Sequence, residues 1–159
     1  MKWLPLFLLL IAGLWGRAQE QVKTTDFEGL EPYLEKSNDT TYLVNFWATW
    51  CKPCVEEMPA FMKINDEFSD RSFKMLLISL DFPGQIESQL LPYISENNIG
   101  AEVIVLDDPD SNKWIPMVDS LWSGSIPATY IYNRHRSEFY EKKLDYNELN
   151  DILTKFITK

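Results

Sequence analysis

Apolar and polar positions along the chain mark out short covered strands and amphipathic helices. Tyr42-Leu43-Val44-Asn45-Phe46-Trp47 is apolar on both faces, the mark of a central strand covered by helices, and Asn45 is its one polar side chain. Phe73 to Leu80 and Val103 to Leu106 read as two further covered strands. After Cys54 a helix places Met58, Phe61, Met62 and Phe68 near one face, with Pro59 bending it where the ring removes a backbone bond. A second helix, Gln85 to Glu96, presents Ile86, Leu90 and Ile94 at helical spacing, after Asp81-Phe82-Pro83-Gly84 leaves the preceding strand. Strands and helices alternating in this way predict β-α-β units with parallel strands and right-handed crossovers.

The flanks follow the same logic. Gln19 to Thr25 reads as a loose tail, and Phe27, Leu30 and Leu34 predict a short helix from Asp26 that Ser37-Asn38-Asp39 stops. Asp107, Asp108 and Asp110 surround Pro109 without the glycine and distal glutamate of a calcium loop, so turn and helix cap are the expectation. Trp114-Ile115-Pro116-Met117 and Leu121-Trp122 read as an unusually apolar connection that fills core beside the sheet. Gly124-Ser125-Ile126-Pro127 then opens a strand, Ala128 to Tyr132, and propensity alone makes the Ile126-Pro127 bond trans. Asn133 to Arg136 is a turn with His135 solvated on it, and Ser137 to Lys142 returns as an antiparallel edge strand. Asp145 and Glu148 form a capping box for a last helix whose apolar face is Leu149, Ile152, Leu153 and Phe156. The sum is an α/β fold, a mixed central sheet with helices on both faces.

Composition narrows the function classes. The hydrophobic content of 45% and aromatic content of 14% argue against disorder, and the formal charge of −9 argues against nucleic acid or anionic lipid as a main partner. Met1-Lys2-Trp3, the apolar run Leu4 to Leu14 and the small residues of Gly16-Arg17-Ala18 read as a signal peptide cleaved after Ala18. The run is shorter than the roughly 20 residues that cross a bilayer. Residues 19–159 are then a single domain, monomeric, periplasmic and without stable membrane insertion, in a compartment where disulfides persist. Losing Lys2 and Arg17 takes the formal charge from −9 to −11.

The chemistry centres on Trp50-Cys51-Lys52-Pro53-Cys54, where the strand hands over to a helix. Unpaired amides and the dipole at a helix start stabilise a thiolate on Cys51, and Cys54 lies one turn on, close enough to close a disulfide with it. Such a pair attacks a partner's disulfide through Cys51 and releases the partner when Cys54 attacks in turn. Two other readings compete. Half a zinc site lacks ligands, since the chain has no other cysteine and only His135; a structural bridge over so short a loop constrains the unfolded chain little. Glu57, one turn past Cys54, is either a proton carrier beneath the pair or an ordinary exposed helix glutamate, and the residue pattern favours the second. Asn45, on the strand face of Leu43 and Trp47, either orients a water or a backbone group beneath the pair or closes a local hydrogen-bond network.

The run Leu43 to Cys54 (Leu-Val-Asn-Phe-Trp-Ala-Thr-Trp-Cys-Lys-Pro-Cys), with Glu57, Pro59 and a proline-preceded strand some seventy residues on, resembles the thioredoxin superfamily, and within it the secreted TlpA/ResA-like thiol-disulfide oxidoreductases. The resemblance reaches from about Phe27 to the C-terminus. It implies that Cys51 is the exposed attacking thiol and Cys54 the buried resolving thiol. Trp50, Pro53, Ile126 and Pro127 would then form the client-binding surface, with Pro127 cis. It raises Glu57 to a buried modulator and puts Asn45 where thioredoxin has a buried aspartate. No cofactor beyond the Cys51-Cys54 disulfide and no metal is implied. The expected activity is reduction of client disulfides, as in cytochrome c maturation or copper-site assembly, recharged by a membrane electron donor. The alternative is a redox-inert thioredoxin-like module that holds clients or a metallochaperone partner. Peroxide reduction fits less well, because Ala48-Thr49-Trp50 does not supply the threonine-bearing proline motif such enzymes carry before their cysteine.

Overall fold

The computed structural model describes residues 22–157; the signal-peptide segment and the start of the expected tail lie outside them. Six strands, β1 (Lys23–Thr25), β2 (Thr41–Trp47), β3 (Phe73–Ser79), β4 (Glu102–Leu106), β5 (Ala128–Asn133) and β6 (Arg136–Tyr140), form one sheet in the order β1-β4-β3-β2-β5-β6. The pairs from β1 to β2 are parallel, whereas β5 runs antiparallel to both β2 and β6. The helices are α1 (Phe27–Leu30), α2 (Lys52–Phe68), α3 (Leu91–Glu96), α4 (Ser111–Val118) and α5 (Tyr146–Ile157). This is the thioredoxin fold that the sequence reading expects.

The two-residue alternation of the central strands sorts the core into two layers. Leu43 and Trp47 of β2 and Met75 and Leu77 of β3 pack with Cys54, Met58, Phe61 and Phe68 of α2 and Leu149, Leu153 and Phe156 of α5. On the opposite face Tyr42, Val44, Phe46, Leu76 and Ile78 meet Phe27, Leu30, Trp114 and Trp122. Every residue of β2 is buried, because helices cover both its faces and strands flank both its edges.

Three expectations are corrected. Lys23–Thr25 is not tail but β1, paired in parallel with Ile104–Leu106; three residues joined through backbone alone carry no periodicity to read. The apolar connection at Trp114 is the helix α4, which buries Trp114 and Val118 and tolerates Pro116 in so short an element. The helix over 85–96 is interrupted: a 3-10 turn at Pro83–Gln85 and a π-helical stretch at Ile86–Leu90 precede α3. Pro92 has no N–H to give, and just ahead of it the Leu91 amide reaches back five residues to the Ile86 carbonyl. The Ile126-Pro127 bond is cis, as the resemblance implied where propensity alone pointed to trans.

The capping box of α5 forms as expected. Asp145 Oδ1 accepts from the Glu148 amide at 2.9 Å, and the Asp145 amide donates to Glu148 Oε2 at 3.0 Å. His135 sits exposed on the β5–β6 turn, at the sheet end opposite the cysteines, where Asn133 Oδ1 accepts from the amides of His135 and Arg136. The aspartates after β4 serve the fold too: Asp108 accepts from the Phe27 and Asp110 amides, and these bonds hold its carboxyl below the usual range.

Candidate active site

β2 ends at Trp47, and the chain turns through Ala48-Thr49-Trp50 so that the Cys51 amide donates back to the Ala48 carbonyl at 3.1 Å. Cys51 is the N-cap of α2, in extended conformation, and its sulfur accepts from the Cys54 amide at 3.3 Å. That amide and the positive end of α2 are the groups at this position that favour an anion. Pro53 stands in the first turn, where a missing N–H costs nothing, and is exposed.

Cys51 and Cys54 are joined in a disulfide, with Cα atoms 5.3 Å apart. Cys51 is 6% exposed and Cys54 0%. The asymmetry has the expected sense, although Cys51 is more enclosed than an exposed thiol. Its sulfur lies 3.7 Å from the Ile126 carbonyl oxygen, with the cis Pro127 buried next in the chain. Trp50 is exposed and stacks on the still more open Phe82, ring centroids 6.2 Å apart, forming an aromatic ledge on the surface.

Glu57 is 2% exposed, so the bland reading of an exposed helix glutamate is overturned. Its Oε1 accepts from Asn45 Nδ2 at 3.0 Å and its Oε2 from the Leu144 amide at 2.9 Å. Burial pushes its carboxyl up to about 7, against the downward pull of those two bonds and of the Lys143 charge. Asn45 Nδ2 also donates to Thr129 Oγ1 at 3.1 Å, while its Oδ1 is buried without a partner. Asn45 thus sits in a buried network with Glu57 and Thr129.

A second carboxylate went unnoticed in the sequence. Asp81, read only as the exit from β3, is buried and accepts from the Thr49 amide at 3.1 Å to each oxygen, from the Thr49 hydroxyl, and from Ser79 Oγ at 2.8 Å. It fixes the turn that delivers Cys51. The available signal was an acid closing an apolar strand next in the sheet to the strand that ends at the cysteines. Among the described residues, no group of three or more histidines, cysteines and acids is placed to hold a metal ion. Nor is any helix among them long and apolar enough to cross a membrane.

The sequence profile of the AhpC/TSA family matches residues 16–137. The chain is 31% identical over 106 residues to thioredoxin-like protein YneN of Bacillus subtilis (strain 168), covering 55% of this chain and 61% of that protein. It is 29% identical over 119 residues to the thiol-disulfide oxidoreductase ResA of Bacillus anthracis, covering 75% and 64%. It therefore spans less than two thirds of these relatives. Among solved structures, a thioredoxin-related protein from Neisseria meningitidis serogroup B superposes with a TM-score of 0.64 at 22% identity, covering 79% of this chain and 89% of that one. A thiol:disulfide interchange protein from Chlorobium tepidum TLS gives 0.64 at 20%, covering 80% and 84%. These two likenesses establish the shared fold.

Proposed function

This chain belongs to the AhpC/TSA family of the thioredoxin superfamily, and we propose that it is a periplasmic thiol-disulfide oxidoreductase that reduces client disulfides through Cys51 and Cys54. The observation that carries the reading is a one-sided disulfide. Cys51 caps α2 and keeps a 6% exposed edge beside Ile126 and cis Pro127, and Cys54 is sealed behind it.

In the reduced protein the Cys51 thiolate attacks one sulfur of a client disulfide. A Cys51–client bond forms, the client's sulfur–sulfur bond breaks, and the client's other sulfur leaves as a thiolate that takes a proton from solvent. Cys54 then gives up its proton and attacks Cys51 Sγ, which releases the second client thiolate and leaves the Cys51–Cys54 disulfide. Two electrons have passed from the dithiol to the client. Glu57 lies one turn beyond Cys54 with a carboxyl poised near neutrality, suited to accept the Cys54 proton in that second step. Trp50, Pro53, Ile126 and Pro127 frame the surface that receives the client. A membrane dithiol donor returns the disulfide to the reduced state, and the clients are secreted proteins such as apocytochrome c. The leader-like residues 1–18 support the location, and a mature N-terminus at Gln19 found by mass spectrometry would test it.

The test is reduction of insulin with dithiothreitol as electron source. Wild type is expected to turn over, Cys51→Ser to be inert, and Cys54→Ser to accumulate client adducts on Cys51. Alkylation of the reduced protein should label Cys51 first; labelling of Cys54 first would reverse the two roles. A folded protein without exchange activity would favour the redox-inert binding module.

A further inference from the structure

The Ile126 carbonyl is held against the disulfide by a segment without helix or strand, Asp119 to Pro127, so side chains must fix it. Trp122, buried against Phe46 and Trp114, donates its indole N–H to the Ser125 carbonyl at 2.8 Å. On the other side stands one carboxylate. Glu141 Oε2 accepts from the Ser123 amide at 3.1 Å, and Oε1 accepts from the Ser125 amide at 3.2 Å and from the Ser123 hydroxyl. The two amides converge because Gly124 between them takes φ +92°, a left-handed conformation; a Cβ there would also meet Ile115 Cδ1 at 2.9 Å. These bonds hold the Glu141 carboxyl below its ordinary range.

Glu141 follows β6 directly, and the residues after it are fastened to the helix that carries the cysteines. Lys143 Nζ meets Glu56 Oε2 at 3.1 Å, and the Leu144 amide donates to Glu57 Oε2. One stretch of four residues, Glu141 to Leu144, therefore clasps the segment ahead of cis Pro127 at one end and α2 at the other. We propose that Glu141 is a positioning residue: it sets the Ile126-Pro127 edge at the height above Cys51 that an extended client segment needs, and so determines affinity for polypeptide disulfides. The inference rests on the proposed reductase activity. A carboxylate suits the role because charge-assisted bonds to two amides and a hydroxyl are stronger than neutral ones, and both its oxygens accept. Main-chain pairing with the edge matters for a polypeptide, whereas a small disulfide needs only the Cys51 sulfur.

The experiment compares two substrates, insulin and the small aromatic disulfide 5,5′-dithiobis(2-nitrobenzoate). For Glu141→Ala, KM for insulin is expected to rise about tenfold, with kcat and the rate on the small disulfide within about twofold of wild type. Glu141→Gln keeps an acceptor but turns an amide donor toward a donor, and is expected to fall between the two; it also serves as the test protein should the alanine variant unfold. Equal losses on both substrates, or an unchanged KM for insulin, would overturn the inference and leave the reductase reading standing. A wild-type protein that turned over neither substrate would overturn both.

Discussion

Glu57 on α2 and Asp81 just past the end of β3 are buried alike, each 2% exposed, yet they are held in different ways. Asp81 takes three bonds from Thr49 in the turn it fixes and one from Ser79 at the end of β3, so that its oxygens are crowded with donors. Glu57 takes one bond from Asn45 and one from Leu144, and burial outweighs them. Equal depth thus serves two arrangements: Asp81 ties down the backbone ahead of Cys51, and Glu57 stands one turn past Cys54 with a raised carboxyl. The supply of donors separates them.

The largest effect that can break this contrast is on pH. Glu57 has a folded pKa of about 7 against 4.5 in the unfolded chain. Between those values the folded state keeps a proton that the unfolded chain has lost, so stability is full below pH 4.5 and falls as pH rises through 7. The loss is on the order of 3 kcal/mol. Urea denaturation of Glu57→Gln across pH 4.5 to 8 should lack that share of the slope, and the pH profile of exchange should shift with it. An unaltered slope and profile would remove the titrating role.

Asp81→Ala should cost about 1–3 kcal/mol of stability, because the Thr49 amide and the Ser79 hydroxyl lose their acceptor, and should slow exchange by displacing Cys51. The pH slope assigned to Glu57 should survive in this variant. Loss of that slope as well would mean that the two acids act as one unit. Phe82→Ala tests the weakest link, the exposed stack of Phe82 on Trp50 next to the Asp81–Thr49 bonds. Stability should change by no more than about 0.5 kcal/mol, and acrylamide should quench Trp50 fluorescence more readily. A larger loss would give the aromatic ledge a share in anchoring the turn.

The difference between the two acids also explains what could be read from the chain. β2, the α2 helix and the dithiol are local: strand alternation, helical spacing and a three-residue cysteine separation all lie within one window. The α5 capping box is local too, and was legible to the residue. Asp81 meets Thr49 across 32 positions and Leu144 meets Glu57 across 87, and no periodicity encodes such pairs. Glu57 is therefore recoverable only through family resemblance, and Asp81 only through the weak signal of an acid closing an apolar strand. β1 escaped because an edge strand of three residues is defined by its partner, and α4 because two tryptophans and a proline obscure an eight-residue helix. The cis geometry of Ile126-Pro127 runs against intrinsic preference, so only the resemblance could supply it.

The complete enclosure of Cys54 has a kinetic consequence. On the proposed roles, in which Cys51 attacks and Cys54 resolves, a low-molecular-weight thiol or oxidant meets Cys51, and whatever it leaves there sits beside a tethered competitor. Clearance of such an adduct is first order, governed by an effective molarity that no change in the surrounding medium can dilute. Trivial adducts are self-erasing. A complex persists only when its bound partner delays that internal attack, so the site selects among thiol compounds by residence time as well as by affinity.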